Sequence, residues 1–233
     1  ASACSRGPCG GPCPGCAPGS AVAGPFAFST DPGFFTVDNA CGPGWIDISA
    51  TGTPAGFTSL DDDVVDVVLP WAWNINGQNV TTIGIGTNGH VAFGAGAFVT
   101  YGPPGNGLYI CGADLQSIDA NGAYYQSIGT APNRQFIIQW VDMQDWPAPG
   151  PGSPSASFQI IVDEATMEVY YIYENDAATM PAYNLMSGID IGIYTTNGNA
   201  VVQTTGTTNI QNNSCFHFYN ALCPNVTAFT SLI

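Results

Sequence analysis

Lysine is absent from this chain, and its only arginines are Arg6 and Arg134, against 17 aspartates and glutamates. Without lysine there is no Schiff-base chemistry, no Lys–Asn isopeptide crosslink and no phosphate loop ending in Gly-Lys. A formal net charge of −15 repels phosphodiester backbones and anionic headgroups. That sets nucleic acid and membrane surfaces aside as partners and favours cations. Charge of any sign is scarce: 8% of residues, where a typical soluble domain has roughly 25%. The surface is therefore neutral-polar, and two basic sites leave trypsin-like proteases little to cut, as suits a secreted or cell-surface protein. Long apolar runs are missing too. None approaches the roughly 20 residues of a membrane span. No basic, apolar signal segment opens the sequence, and the start, ASACS, is read as a processed mature end.

Cysteine is what is present in unusual number. Cys4, Cys9, Cys13, Cys16, Cys41, Cys111, Cys215 and Cys223 make an even set, which reads as disulfides formed in an oxidising compartment. The first four fall in a Cys/Gly/Pro-rich extension, residues 1–25, with too little apolar content for a core of its own. Its C-x4-C-x3-C-x2-C spacing allows zinc or redox chemistry as rivals to disulfides. No second CxxC or βαβ pattern accompanies it, so disulfides, within or between copies, are the expectation. In the remainder, Cys215–Cys223 is expected as a local bridge and Cys41–Cys111 as a long-range one.

Residues 26–223 read as strands and turns. Short runs rich in Val, Ile, Phe, Tyr and Thr recur, among them Trp45–Ser49, Val64–Leu69, Val80–Gly86, His90–Phe93, Ala123–Ile128, Gln135–Val141, Ser157–Val162, Met167–Tyr173, Ile189–Tyr194 and Cys215–Tyr219. Asn76-Gly77, Asn88-Gly89, Asn121-Gly122 and Asn197-Gly198 are hairpin signals, because both residues tolerate positive φ. The spacing predicts an all-β fold, two antiparallel sheets in a jelly-roll-like sandwich. Asp142–Pro154 is expected as a loop because proline removes ladder donors, and Gly94–Gly107 as a second long connection. Residues 224–233, PNVTAFTSLI, read as one further strand after a proline break, suited to lie on a neighbouring copy.

Two blocks carry a resemblance. One is SLDDDVVDVVLPWAWNINGQNVTTIGIGTNGHVAF, Ser59–Phe93. The other is YYQSIGTAPNRQFIIQWVDM, Tyr124–Met143, followed by SFQIIVDEATMEVYYIYEN, Ser157–Asn175. In order they give an aspartate-rich turn, a strand ending Leu-Pro-aromatic, an Asn-Gly closure, Gly-x-x-Pro-Asn-Arg before an F-x-I-Q-W strand, and an F-Q-I strand beside an aromatic-rich one. This pattern resembles the β-sandwich domain of very large adhesin-like surface and secreted proteins of Bacteroidota, commonly exported by type IX secretion. It is distantly similar to the nidogen-type extracellular domain. The resemblance covers roughly residues 45–220 and implies an extracellular module without defined catalytic residues.

Site expectations follow from residue type. Asp61, Asp62, Asp63 and Asp66 form the densest negative spot, and a turn keeps such a run if it is solvated, caps amides or binds a hard cation such as Ca2+. The run lacks EF-hand spacing. Asp114, Asp119, Asp142 and Asp145 are expected as turn residues. Arg134, the one base of the sandwich, is expected in a structural salt bridge. Phe136, Ile138 and Trp140 fall on one face at period two, and Ile137, Gln139 and Val141 on the other. Trp71 and Trp73 are expected in the core; Trp146, in the proline-rich loop, is the candidate ligand contact. His90 and His217 read as packed strand residues. Glu164, Glu168 and Glu174 are the only glutamates from which an acid pair for glycoside hydrolysis could be drawn. The expectation is therefore no enzyme. It is a structural or adhesive extracellular module, a candidate filament subunit whose partners are copies of itself or other surface proteins. A carbohydrate-binding module that takes glycans is the alternative, and a glycoside hydrolase the third.

Overall fold

Side chains that alternate at period two can bury one face of a strand, and a run apolar on both faces needs cover on both. Gln135–Asp145 is of the second kind, and the architecture is built around it. The computed structural model describes residues 36–38, 42–75, 78–95, 107–111, 113–147, 155–174 and 215–219. Along them run β1 (Thr36–Asp38), β2 (Thr53–Pro54), β3 (Val64–Ile75), β4 (Gln78–Gly86), β5 (His90–Phe93) and β6 (Gly107–Tyr109). They continue as β7 (Leu115–Gln116), β8 (Ala123–Ile128), β9 (Gln135–Asp145), β10 (Ala156–Asp163), β11 (Val169–Tyr173) and β12 (Cys215–Tyr219). A large sheet has the order β1-β12-β11-β10-β9-β8-β2, with β7 also on β9, and a small sheet has β3-β4-β5-β6. Every pairing is antiparallel. The fold is all-β, as the spacing predicts. Among the described residues there is no helix, and so none long and apolar enough to cross a membrane.

The core lies between the sheets. Trp73, Ile83, Ile85, Val91 and Leu108 of the small sheet meet Phe136, Ile138, Trp140, Phe158, Ile160, Tyr171 and Phe218 of the large one, all buried. Each such side chain contributes about 1.5–3 kcal/mol on leaving water. Trp140 Nε1 donates to Gly86 O at 2.9 Å, pinning the centre of β9 to β4. Trp73 is fully buried and Trp71 packs partly buried beside it, both edge-on to Phe136.

The outer face of the large sheet is covered by the chain itself. Trp45–Ser49 is not the strand its composition suggests; it is a strap running across the strands. Ile46 N donates to Gln159 Oε1 at 3.1 Å while Gln159 Nε2 donates to Ile46 O at 2.6 Å. Ile48 N donates to Gln139 Oε1 at 2.8 Å. Gln139 and Gln159 face one another across β9 and β10 and bond to each other at 2.8 Å, so two side-chain amides stand in for a neighbouring strand. Glycine is required where the strap passes β11, because a Cβ on Gly42 would lie 2.5 Å from the Tyr170 ring. Ile48 then seals Ile137 and Ile161 beneath it.

One loop expectation needs correction. β9 continues through Asp145, well into the stretch Asp142–Pro154, because the first proline comes only at Pro147. A left-handed residue at Asp142 (φ 51°) and a register shift against β10 absorb the irregularity, and β7 pairs with the extended end. The short strands β2, β6 and β7 carry too few residues to show a period. The extension 1–25, the segments 96–106 and 176–214, and residues 224–233 lie outside the described residues, and with them Cys4, Cys9, Cys13, Cys16, Cys41 and Cys223.

Candidate functional site

One end of the sandwich gathers carboxylates from three separate stretches. The turn before β3 supplies Asp61 and Asp62, the segment before β7 supplies Asp114, and the end of β9 supplies Asp145. An isolated bridge from Asp61 to Gln116 and the β7–β9 pair Leu115–Asp145 bring them together. Asp61, Asp62 and Asp114 each offer an oxygen within 4.8 Å of the others. Calcium–oxygen bonds of about 2.3–2.6 Å need ligand oxygens at most about 5 Å apart, so the spacing suits a hard divalent cation. Asp61 Oδ1 and Asp145 Oδ2 are shut off from solvent with no hydrogen-bond partner. Burial, then the Asp62 charge, raises the Asp61 pKa; burial, then Asp61 and Asp62, raises Asp114; burial, then Asp114, raises Asp145. Asn88, fully buried in the β4–β5 turn, ties the group together: its amide donates to Asp62 Oδ1 at 3.1 Å and its oxygen accepts from Leu115 N at 2.7 Å. Asp62 itself has φ 52°, a conformation aspartate tolerates better than most residues.

This set differs from the run the sequence singles out. Asp63 belongs to the turn: its carboxylate accepts from Thr58 N at 2.5 Å, Ser59 N at 2.9 Å and Val64 N at 2.8 Å. Burial works to raise its pKa and those bonds outweigh it, leaving it lowered. Asp66 is exposed on β3 opposite Gly84, outside the group. Their places are taken by Asp114 and Asp145, which the sequence presents as ordinary turn residues. Asp119 is one, accepting from Asn121 N at 2.7 Å.

Trp146 follows directly and is 51% exposed, its N–H donating to Asp114 O at 2.9 Å. Leu60 and Ile118 are also exposed near the same end, where Ser117 N donates to Leu60 O at 2.8 Å. An aromatic platform thus stands beside the carboxylates, an arrangement suited to a sugar ring or an apolar side chain.

The remaining titratable groups are engaged elsewhere. Arg134, at the opposite end of β9, donates from Nε to Glu164 Oε2 at 2.8 Å and from Nη2 to Glu164 Oε1, a two-pronged ion pair. Its guanidinium stands 4.7 Å over the Trp71 ring. Those bonds hold the Glu164 carboxyl below its ordinary range. Glu168 is buried between Tyr170, whose hydroxyl donates to it at 2.6 Å, and His217 Nε2 at 3.2 Å. Glu164 and Glu168 thus each have a committed partner, Arg134 for the first and Tyr170 with His217 for the second. His90 is 1% exposed and its ring lies against Gly86; burial lowers its pKa to about 4, opposed by the Asp62 charge.

Cys111 is a buried free thiol, pushed up to about 12 by burial, with the Asp145 charge adding to it. The expected Cys41–Cys111 bridge is therefore corrected. Cys111 packs into the core as a small apolar side chain against the Asn88-Gly89 turn, where a Cβ on Gly89 would lie 3.1 Å from its own. Cys215 is disulfide-bonded.

With this geometry in view, comparison with known proteins gives one match. The family model described as NIDO related covers residues 35–228, which spans every strand from β1 to β12. No curated protein matches the chain, and no solved structure does.

Proposed function

Because the chain belongs to the NIDO-related family, we propose that it is an extracellular structural or adhesive module whose copies assemble with one another, and that it acts by contact rather than catalysis. The family match across the whole sandwich carries the extracellular part of this reading. Support for assembly comes from composition: no lysine and a low share of charged residues to guard strand edges, and two terminal segments, 1–25 and 224–233, rich in crosslinkable cysteines and in β-forming residues respectively. Support for a non-catalytic role comes from the glutamates, since Glu164 is committed to Arg134 and Glu168 is buried against Tyr170 and His217. The adhesin-like, type IX-exported proteins of the resemblance are the class in which we place it.

Sedimentation and negative-stain microscopy of the full chain under non-reducing conditions test this. Concentration-dependent filaments or oligomers are expected. A chain that stays monomeric at high concentration with its disulfides intact would sink the assembly reading. One observation favours a second function: Trp146, half exposed beside Asp114 and Asp145, fits a carbohydrate-binding module. Glycan-array binding lost in Trp146→Ala would establish that alternative.

A further inference from the structure

Sheet edges with unpaired backbone groups invite a further strand, and proteins guard them with proline, charge or irregularity. Two of the edges here are guarded in this way. β2 ends on Pro54. β3, the edge of the small sheet, carries Asp66 and Pro70 and loses register with β4 between Val68 and Trp73. β4 is different. It runs from Gln78, but β5 accompanies it only from Ile83 onward, and the last bond between them is Gly94 N to Thr82 O at 2.8 Å. Among the described residues no strand continues the ladder beyond Thr82. The antiparallel alternation puts the next outward donor and acceptor at Val80. Beside this overhang lies an open groove of about 320 Å3, lined by Asn79, Val80, Thr81, Thr82, Phe93 and the two residues after it. The lining carries no charge and no proline. Asn79 and Thr81 are exposed, and Val68, opposite Thr82, is 78% exposed.

We propose that this overhanging edge of β4 is an acceptor slot for an extended strand from a second copy of the chain, and that the strand is Pro224–Ile233. This rests on the self-assembly reading and gives it a specific contact. The donor suits the slot in three ways. It is uncharged, so a neutral groove costs it no unpaired ion. It repeats the Asn-Val-Thr tripeptide that already forms a strand at Asn79–Thr81, and Val226, Thr227, Phe229 and Ile233 keep a β-forming composition. Its backbone is free of proline after Pro224, so it can supply ladder bonds to Val80, which has no strand beside it on that edge among the described residues. Donor and acceptor are different surfaces, so the contact is heterologous and each added copy presents a fresh slot.

The test is amide hydrogen exchange on the full chain at low and high concentration, with sedimentation alongside. Protection of the outward Val80 amide is expected to rise by an order of magnitude or more as assemblies form. Asn79→Lys with Thr81→Lys, two exposed positions that leave the core intact, is expected to yield folded monomers. The same is expected of a chain truncated before Val226, and an equimolar mixture of the two variants should stop at dimers, since only one productive contact remains. If truncation prevents folding, the lysine variant and the exchange data decide alone. Assemblies that form with the Val80 amide still unprotected, or that survive both lysines, overturn the slot while leaving self-assembly standing. A wild-type chain that never assembles overturns the reading beneath it.

Discussion

The two ends of β9 solve the same electrostatic problem in opposite ways. At its start Arg134 forks onto Glu164 under the shelter of Trp71, so the only base of the sandwich is spent on one carboxylate. At its finish Asp145 joins Asp61, Asp62 and Asp114 with no arginine paired to them among the described residues, and burial, with the neighbouring carboxylate charges, raises the pKa values of Asp61, Asp114 and Asp145. A chain so short of cations can neutralise one end internally; the other must be hydrated or take a cation from solution.

The largest effect expected from this contrast is on acidification. His90 is held neutral in the folded state, with a pKa of about 4 in place of 6.5. Its contribution to stability is therefore complete above pH 6.5 and is lost as pH falls towards 4, because the unfolded chain binds the proton first. About 3 kcal/mol is at stake. Urea unfolding of wild type and His90→Gln across that range measures it; parallel curves would break the assignment.

Calcium comes next. Ion binding to the native state at 100 times the dissociation constant adds about 2.7 kcal/mol. Thermal melts with calcium and with chelator should differ accordingly, and Asp61→Asn with Asp114→Asn should abolish the difference. An unchanged melt in wild type would leave the acidic end as a hydrated turn.

Arg134→Met is expected to lower the melting temperature by less than calcium removal does, with Arg134→Lys failing to restore it, since lysine lacks the planar fork. The pair also titrates: Glu164, held below its ordinary pKa, contributes stability that is lost as pH falls through that lowered value. Asp145, held above its ordinary value, behaves in the reverse sense, its penalty growing as pH rises through the raised pKa. The smallest change expected is in Asp145→Asn without calcium: a gain below about 1 kcal/mol from relieved repulsion, seen as a modest rise in the denaturation midpoint.

What sequence could convey depended on range. Phe136, Ile138 and Trp140 are read correctly because period two is a local property, and so is the Asn88-Gly89 turn between β4 and β5. The pairing of Arg134 follows from scarcity, since a lone base among many acids finds a partner. Asp114 and Asp145 escape notice because their meeting with Asp61 depends on β7 lying along β9, a two-residue strand with no period to detect. The strap is hidden for a related reason: Trp45–Ser49 has the composition of a strand, yet its backbone bonds go to the side chains of Gln139 and Gln159. Cys111 shows the limit of cysteine counting, where an even total does not assign each thiol a mate.

The strap also has a kinetic meaning. Residues 36–54 furnish the two outermost strands of the large sheet, β1 and β2, and the covering between them. Their anchors arrive late in synthesis, since Ile46 bonds Gln159 across 113 positions and Ile48 bonds Gln139 across 91. Contacts of such sequence separation are slow to close. The nascent chain must therefore keep this piece unpaired until β9 and β10 exist.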